Sequence, residues 1–315
     1  MLTRRHIRVK VMQCIYALTQ SKEESLDKQE KFLALSIKNT YTLYLLMLSL
    51  LKELHTMAAE KVERSSNKYL QDEAENVPDR EKFVKNRLLL RIANNEALEE
   101  ELKKRKLKNW YYHEEYVRIL LKKIEESPFY KEYMSAASSD FESDKELVAE
   151  LFKEVIAPND QIYEYFEDDQ LTWVDDLPLV NTSLLKLLKK AKPDHFDSYF
   201  LPKLMKDQED MDFAKKLLVK TLLNNASLVK EIEGKTPNWD KDRIAEIDAV
   251  LLKMAISELL NFPSIPERVT INEYLEIAKE YSTPKSSIFI NGILDKLVKE
   301  YKSEGKLKKI GRGLL

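Results

Sequence analysis

The sequence predicts an all-α protein, and three observations lead there. Only 5 glycines occur in 315 residues, 34% of residues are charged, and long stretches rich in Leu, Lys, Glu and Ala place apolar side chains at helical spacing. A chain of this length has room for one large domain or two ordinary ones, each with a substantial core. Fifty-two basic residues against 54 acidic ones leave a net charge of -2, so the molecule as a whole is no generic polyanion binder. A nucleic-acid site, if present, has to be local.

Taken in order, a first helix is expected over about Thr3 to Thr19 and a long second one from near Ser25 to Arg64. The stretch Ser65 to Asp79, with Val77-Pro78, reads as a linker. Two charged helices follow, Arg80 to Lys106 and Trp110 to Ser127, before a second joint from Pro128 to Asp144. From Lys145 onward, prolines at 158, 178, 193, 202, 237, 263, 266 and 284 punctuate shorter helices, as in a compact bundle. The expected organisation is therefore residues 1–20 as a basic N-terminal helix, 21–144 as a long helix plus charged helices, and 145–315 as a C-terminal bundle. The most apolar window, Tyr41 to Leu51, falls short of the roughly 20 residues that cross a membrane and reads as a buried helix.

Catalytic patterns are absent from the sequence. His6, His55, His113 and His195 are scattered without a second ligand at helical spacing, which gives zinc no support, and neither a Gly-rich phosphate loop nor a Gly-x-Ser-x-Gly elbow occurs. No metal, cofactor or chemical step is expected. Cys14 lies among Val11, Ile15 and Leu18 and reads as a packed thiol. A single cysteine forms no internal disulfide, and the basic start is not followed by a leader-like apolar run, so a reducing cytoplasm is expected.

Charge is uneven along the chain. Glu142 to Asp169 is acidic, whereas the first ten residues carry Arg4, Arg5, Arg8 and Lys10 without an acid, and the tail is basic through Lys302, Lys306, Lys308, Lys309 and Arg312. Projected at 100° per residue, the first helix sets Ile7, Val11, Cys14 and Leu18 on a core stripe. Arg5, Val9, Met12, Gln13 and Tyr16 fall opposite, with Arg8 at their flank. Two readings stay open: contact with another molecule, or packing of Val9, Met12 and Tyr16 on a neighbouring helix while the arginines reach to solvent. Guanidinium groups suit RNA because they pair with phosphate and stack on unpaired bases, and tyrosine adds stacking or anchors a protein partner.

Toward the C-terminus, a helix over Asp242 to Leu260 carries Ile244, Leu251, Ala255 and Leu259 on an apolar stripe into which Asp248 projects. A carboxylate there needs a partner, either inside the chain or on another protein. In the helix after Pro266, Ile271, Leu275, Ala278 and Tyr281 are expected to face the core, with Asn272 and Lys279 on one edge, where either they present an amide and a cation to RNA or Asn272 and Glu273 serve helix ends and loops. In the last helix Ile293, Leu294 and Leu297 point inward, Ser286 or Ser287 is available as an N-cap, and Phe289 and Lys296 share an edge. Gly292 sits mid-helix at a cost of about 1 kcal/mol relative to Ala, which close approach of a backbone or ligand would justify.

The segments WDKDRIAEIDAVLLKMAISELL, FPSIPERVTINEYLEIAKEY and STPKSSIFINGILDK, together with the N-terminal RRHIRVKVMQCIYAL, resemble the NusB family of transcription antitermination factors in order and spacing. The resemblance covers roughly the first 20 residues and the last 85 or so, with Trp239 to Lys296 the most informative segment. Ser21 to Asn238 is much longer than the family's equivalent, and the excess centred on Ser65 to Asp144 reads as an inserted helical region. What the resemblance implies is a helical bundle that binds boxA-type single-stranded RNA together with NusE, a small-subunit ribosomal protein, and modifies RNA polymerase elongation. Carried onto this chain, it implies RNA contacts from Arg4, Arg5, Arg8, Gln13, Asn272, Lys279, Lys285, Phe289 and Lys296, and partner contacts from Tyr16 and Asp248. Two departures stand out: Lys285 occupies a position that is often acidic in the family, and His6 interrupts the basic run. The alternatives are a helical protein-interaction scaffold without RNA binding, and an RNA cytosine methyltransferase, to which such domains are also fused. The latter lacks support, because no cofactor-binding α/β unit or cysteine nucleophile follows.

Overall fold

The computed structural model describes residues 1–21, 25–68, 81–235 and 245–310. Most of the 65–79 linker, Ile244, Pro237 and Arg312 lie outside them. Among the described residues every regular element is helical and none is a strand. The α-helices are α1 (Arg4–Ser21), α2 (Leu26–Lys68), α3 (Arg87–Ala93), α4 (Glu96–Arg105), α5 (Asn109–Tyr112), α6 (Glu114–Glu126), α7 (Pro128–Ser135) and α8 (Phe141–Leu151). They continue with α9 (Asp160–Asp169), α10 (Leu177–Lys190), α11 (Gln208–Leu223), α12 (Asn225–Glu233), α13 (Glu246–Asn261), α14 (Glu267–Tyr281) and α15 (Ser286–Ser303). The chain divides into two compact units, Met1–Ile37 with Leu204–Leu315, and Lys38–Lys203. These boundaries differ from the expected 20/21 and 144/145, because α2 contributes residues to both units and linker composition does not reveal which core a helix joins.

The unit Lys38–Lys203 is built on the apolar part of α2. Leu43 to Leu51 are all buried, so a helix that by length and composition would pass for a membrane span supplies core here. Its neighbours are tied down by indole and phenol groups: Trp110 Nε1 donates to the Leu46 carbonyl at 3.0 Å, Trp173 Nε1 to the Asn39 carbonyl at 3.0 Å, and Tyr44 Oη to the Phe200 carbonyl at 2.6 Å.

Where one long helix was expected over Arg80 to Lys106, the structure has two, because the Asn86 side chain caps α3 and Asn95 caps α4. The Trp110–Ser127 helix likewise breaks, at His113, between α5 and α6. The expected joint after Pro128 is partly helical, with Ser127 as N-cap and Pro128 in the first turn of α7. Asp140 and Ser143 then form a capping box that starts α8. Asp144, fully buried, accepts from Tyr133 Oη at 2.6 Å and from Arg87 Nη1 at 3.0 Å, joining α7, α8 and the start of α3.

In the other unit α1 and α13 are central. α1 packs on α11, α13 and α14, and α13 packs on α11, α12, α14 and α15. Both helices therefore meet neighbours on more than one side. Ile7 to Met12 are buried without interruption, including Val9 and Met12, which follow the packing reading of that face. α14 is rotated from expectation: Thr270, Tyr274, Ile277 and Ala278 are its buried residues, whereas Ile271, Leu275 and Tyr281 are half-buried. On α15, Ile293, Leu294 and Leu297 are buried as expected.

Candidate nucleic-acid interface

The N-terminal turn of α1 is held by Thr3 and His6. Thr3 donates its backbone N–H to His6 Nδ1 at 3.1 Å, and the Thr3 carbonyl accepts the first helical bond from Ile7 at 3.1 Å. Burial, and then the positive charge of Arg5, holds the His6 imidazole below its ordinary value, which favours the neutral acceptor this turn requires. Next to it a groove of about 670 Å³ is lined by Arg4, Arg5, His6, Pro266 and Val269 among others.

The arginines of this turn differ sharply. Arg8 is 2% exposed and forms a bidentate pair with Glu258, itself 0% exposed, with Nε to Oε2 at 2.8 Å and Nη2 to Oε1 at 2.7 Å. Glu258 also accepts from Thr270 Oγ1 at 2.8 Å and Tyr274 Oη at 3.2 Å, so its lone pairs are filled. Burial works against the Arg8 charge, but the hydrogen bonds and charge of Glu258 outweigh it and hold the guanidinium above its ordinary value. Burial and the neighbouring Glu258 push the Tyr274 phenol well above its usual range, which keeps it a donor. Arg8 is thus internal, correcting its assignment as an RNA contact: two central helices need their facing polar groups to satisfy each other.

Arg5 is half-exposed and grips Glu273 on α14, with Nη2 to Oε1 at 2.8 Å and Nε to Oε2 at 3.1 Å; the Arg5 hydrogen bond holds the Glu273 carboxyl below the usual range. Arg4 is exposed and reaches Asp210 at 3.3 Å, lying over the Phe213 ring. Gln13 is half-buried on α1, and Tyr16 is exposed.

Asp248 is 5% exposed and accepts hydroxyl protons from Ser282 Oγ at 2.6 Å and Ser286 Oγ at 2.7 Å. It ties the start of α13 to the turn between α14 and α15, which corrects its assignment as a partner contact. The same bonds take Ser286 away from the N-cap role expected for it.

Asn272 and Lys279 are exposed on α14, and Lys279 pairs with Glu276 at 2.6 Å. Lys285, Phe289, Gly292 and Lys296 follow one another at intervals of four, three and four, a single stripe along α15. Lys285, Gly292 and Lys296 are exposed and Phe289 is half-buried. Among the described residues neither lysine has a carboxylate partner. A Cβ added at Gly292 would meet no atom of the described residues within 4 Å, so nothing among them calls for this helix-weakening residue. The basic tail, by contrast, is partly neutralised: Lys302 pairs with Glu267, and Lys306 with Glu304.

Glu258 was missed from the sequence, and Glu273, read there as a helix-end or loop residue, was not expected to pair with Arg5. Glu258 had a readable signal: it lies three residues after Ala255 and seven after Leu251, on the α13 stripe read as core, where a carboxylate demands a cation. Cys14 is buried, and burial pushes its thiol up to about 12, which fits a packed side chain. Among the described residues no group of three His, Cys, Asp or Glu side chains is placed to hold a metal ion.

The NusB family profile matches residues 180–299. The transcription antitermination protein NusB of Salinibacter ruber is 43% identical over 112 residues, 36% of this chain and 70% of that protein. The chain belongs to the NusB family. The NusB of Chloroherpeton thalassium is 40% identical over 41% of this chain and 61% of its own length, and that of Listeria monocytogenes 39% over 31% and 77%. No solved structure matches the chain. The aligned shares leave most of this chain outside the NusB relatives, in keeping with a family core that carries a large helical addition.

Proposed function

We propose that the chain is an RNA-binding transcription antitermination factor that takes boxA-type single-stranded RNA together with NusE and modifies RNA polymerase elongation in the cytoplasm. The supporting observation is the α15 stripe, in which two unneutralised lysines flank an aromatic ring and a glycine with open space above it. Phosphates meet the lysines, a base stacks on Phe289, and the missing side chain at Gly292 lets the backbone of the nucleic acid come close. Arg5 and Arg4, exposed enough to exchange a carboxylate for a phosphate, together with Gln13, Asn272 and Lys279, extend the proposed contact; Arg8 supports it from below by fixing α1. Tyr16 is the proposed protein anchor, an exposed ring on α1. Every step is binding and positioning, and the reading calls for no chemical reaction.

Fluorescence anisotropy with a labelled boxA-like RNA, with and without NusE, tests this. The double variant Lys285→Glu/Lys296→Glu is expected to weaken binding at least about tenfold and to flatten the salt dependence by about one to two units of slope. Unaltered affinity in that variant, with the fold intact by circular dichroism, would instead favour a protein scaffold without RNA binding.

A further inference from the structure

The end of α10 and the residues after it bring several lysines together in the Lys38–Lys203 unit. Lys186, Lys189 and Lys190 occupy one helical face at i, i+3 and i+4, where like charges repel. The negative end of the helix dipole accounts for lysines in a last turn. It does not account for Lys186 a turn earlier, Lys192 beyond the helix, or Lys145 on α8. All five line a groove of about 640 Å³ whose one acidic residue, Glu142, already pairs with Lys145. Among the described residues Lys186, Lys189, Lys190 and Lys192 have no carboxylate partner.

The groove is rigid and carries rings. Tyr199 Oη donates to the Leu187 carbonyl at 2.8 Å, and the His195 ring stacks on Tyr199 with centroids 3.8 Å apart. The Lys192 N–H donates to His195 Nδ1 at 3.2 Å, while the Arg91 guanidinium donates to the carbonyls of Lys192 and Pro193, both at 2.7 Å. Phe196, next in the chain, is 85% exposed. A row of cations near an exposed aromatic ring is how single-stranded nucleic acid is held without sequence reading, with phosphates on the lysines and a base on the ring. An acidic protein segment would satisfy the lysines but offer nothing to stack on the exposed Phe196 ring.

We infer that this groove is a second, sequence-independent site for the backbone of single-stranded RNA, through which the Lys38–Lys203 unit grips transcript flanking the element bound by the α15 stripe. It rests on the RNA-binding reading above. The test compares, by anisotropy on the full chain, a boxA-like RNA with the same RNA extended by unpaired nucleotides. The wild-type chain is expected to bind the extended RNA about tenfold or more tightly than the short one, since the second contact is intramolecular once the first is made. The variant Lys189→Gln/Lys190→Gln/Lys192→Gln should lose that gain and about two units of salt slope, with binding of the short RNA unchanged; Lys186→Gln alone should move the same way by a smaller step. A wild-type chain that binds both RNAs equally, or a triple variant that keeps the gain, overturns the inference while leaving the α15 reading intact and points to an acidic protein segment as the occupant. A wild-type chain that binds neither RNA overturns both.

Discussion

Around α1, positive charges meet acids: Arg4 reaches Asp210, Arg5 holds Glu273 and Arg8 is locked on Glu258. Along α10 the lysines at 186, 189 and 190 meet none among the described residues, and the same holds for Lys285 and Lys296 on α15. The basic N-terminus is the more conspicuous feature of the sequence, yet most of its charge is spent on shaping the fold. Basic residues that have no internal acid meet a polyanion without first giving up a carboxylate, as Arg4 and Arg5 would have to, and only three-dimensional placement separates the two kinds.

Removing partners from the first kind should cost stability in proportion to burial. Glu258→Ala strands Arg8 in the core and should destabilise by about 3–5 kcal/mol in urea unfolding. A loss below about 1 kcal/mol would mean that the pair does not join α1 to α13 as described. Asp248→Ala leaves the Ser282 and Ser286 hydroxyls without their acceptor and should cost about 1–3 kcal/mol by the same measurement, with NusE affinity of the folded variant unchanged. A selective loss of NusE binding at full stability would return Asp248 to the interface.

A substitution in the second kind of region should behave oppositely. Gly292→Ala relieves a helix-weakening residue with no neighbour in its way, so the melting temperature should rise, by the equivalent of about 1 kcal/mol, while RNA affinity falls. Higher stability with undiminished affinity would remove Gly292 from the contact.

The smallest effect is expected at Arg5, whose pair with Glu273 is partly solvated; Arg5→Ala should cost under about 1 kcal/mol. Because Arg5 depresses the Glu273 carboxyl in the folded chain, the stabilisation is present above the usual glutamate range and is lost as pH falls through the lowered value. The variant should therefore lose less stability on acidification than the parent does, as read from urea midpoints across the acid range. An identical acid dependence would uncouple the two side chains.

The helical class, α1, the long α2 and the inward face of α15 were legible because each rests on composition or on a one-sided apolar stripe. The faces of α1 and α14 were not. A stripe marks a face only when a helix is buried on one side, and α1, ringed by α11, α13 and α14, hides Val9 and Met12 as well as Ile7 and Val11. The break at Asn95 was missed because leucine-rich periodicity continues across it, although an asparagine pair is a readable capping signal, and the break at His113 was missed because no glycine or proline marks it. Arg8 and Asp248 were assigned outward because residue type alone does not show whether a charge finds its partner within the chain. The α15 stripe was half legible, through the seven-residue interval from Phe289 to Lys296. Its lack of neutralising acids, like that of the α10 groove, depends on which helices come to lie beside it.

The most direct test of the α15 assignment is photo-cross-linking of the full chain to a 4-thiouridine-substituted boxA-like RNA in the presence of NusE, with the adducts mapped by mass spectrometry. Adducts on the peptides spanning Lys285 to Lys296 are the expected result. Efficient cross-linking that leaves those peptides unmodified, or none at all under conditions where the NusB of Salinibacter ruber reacts, would contradict the account.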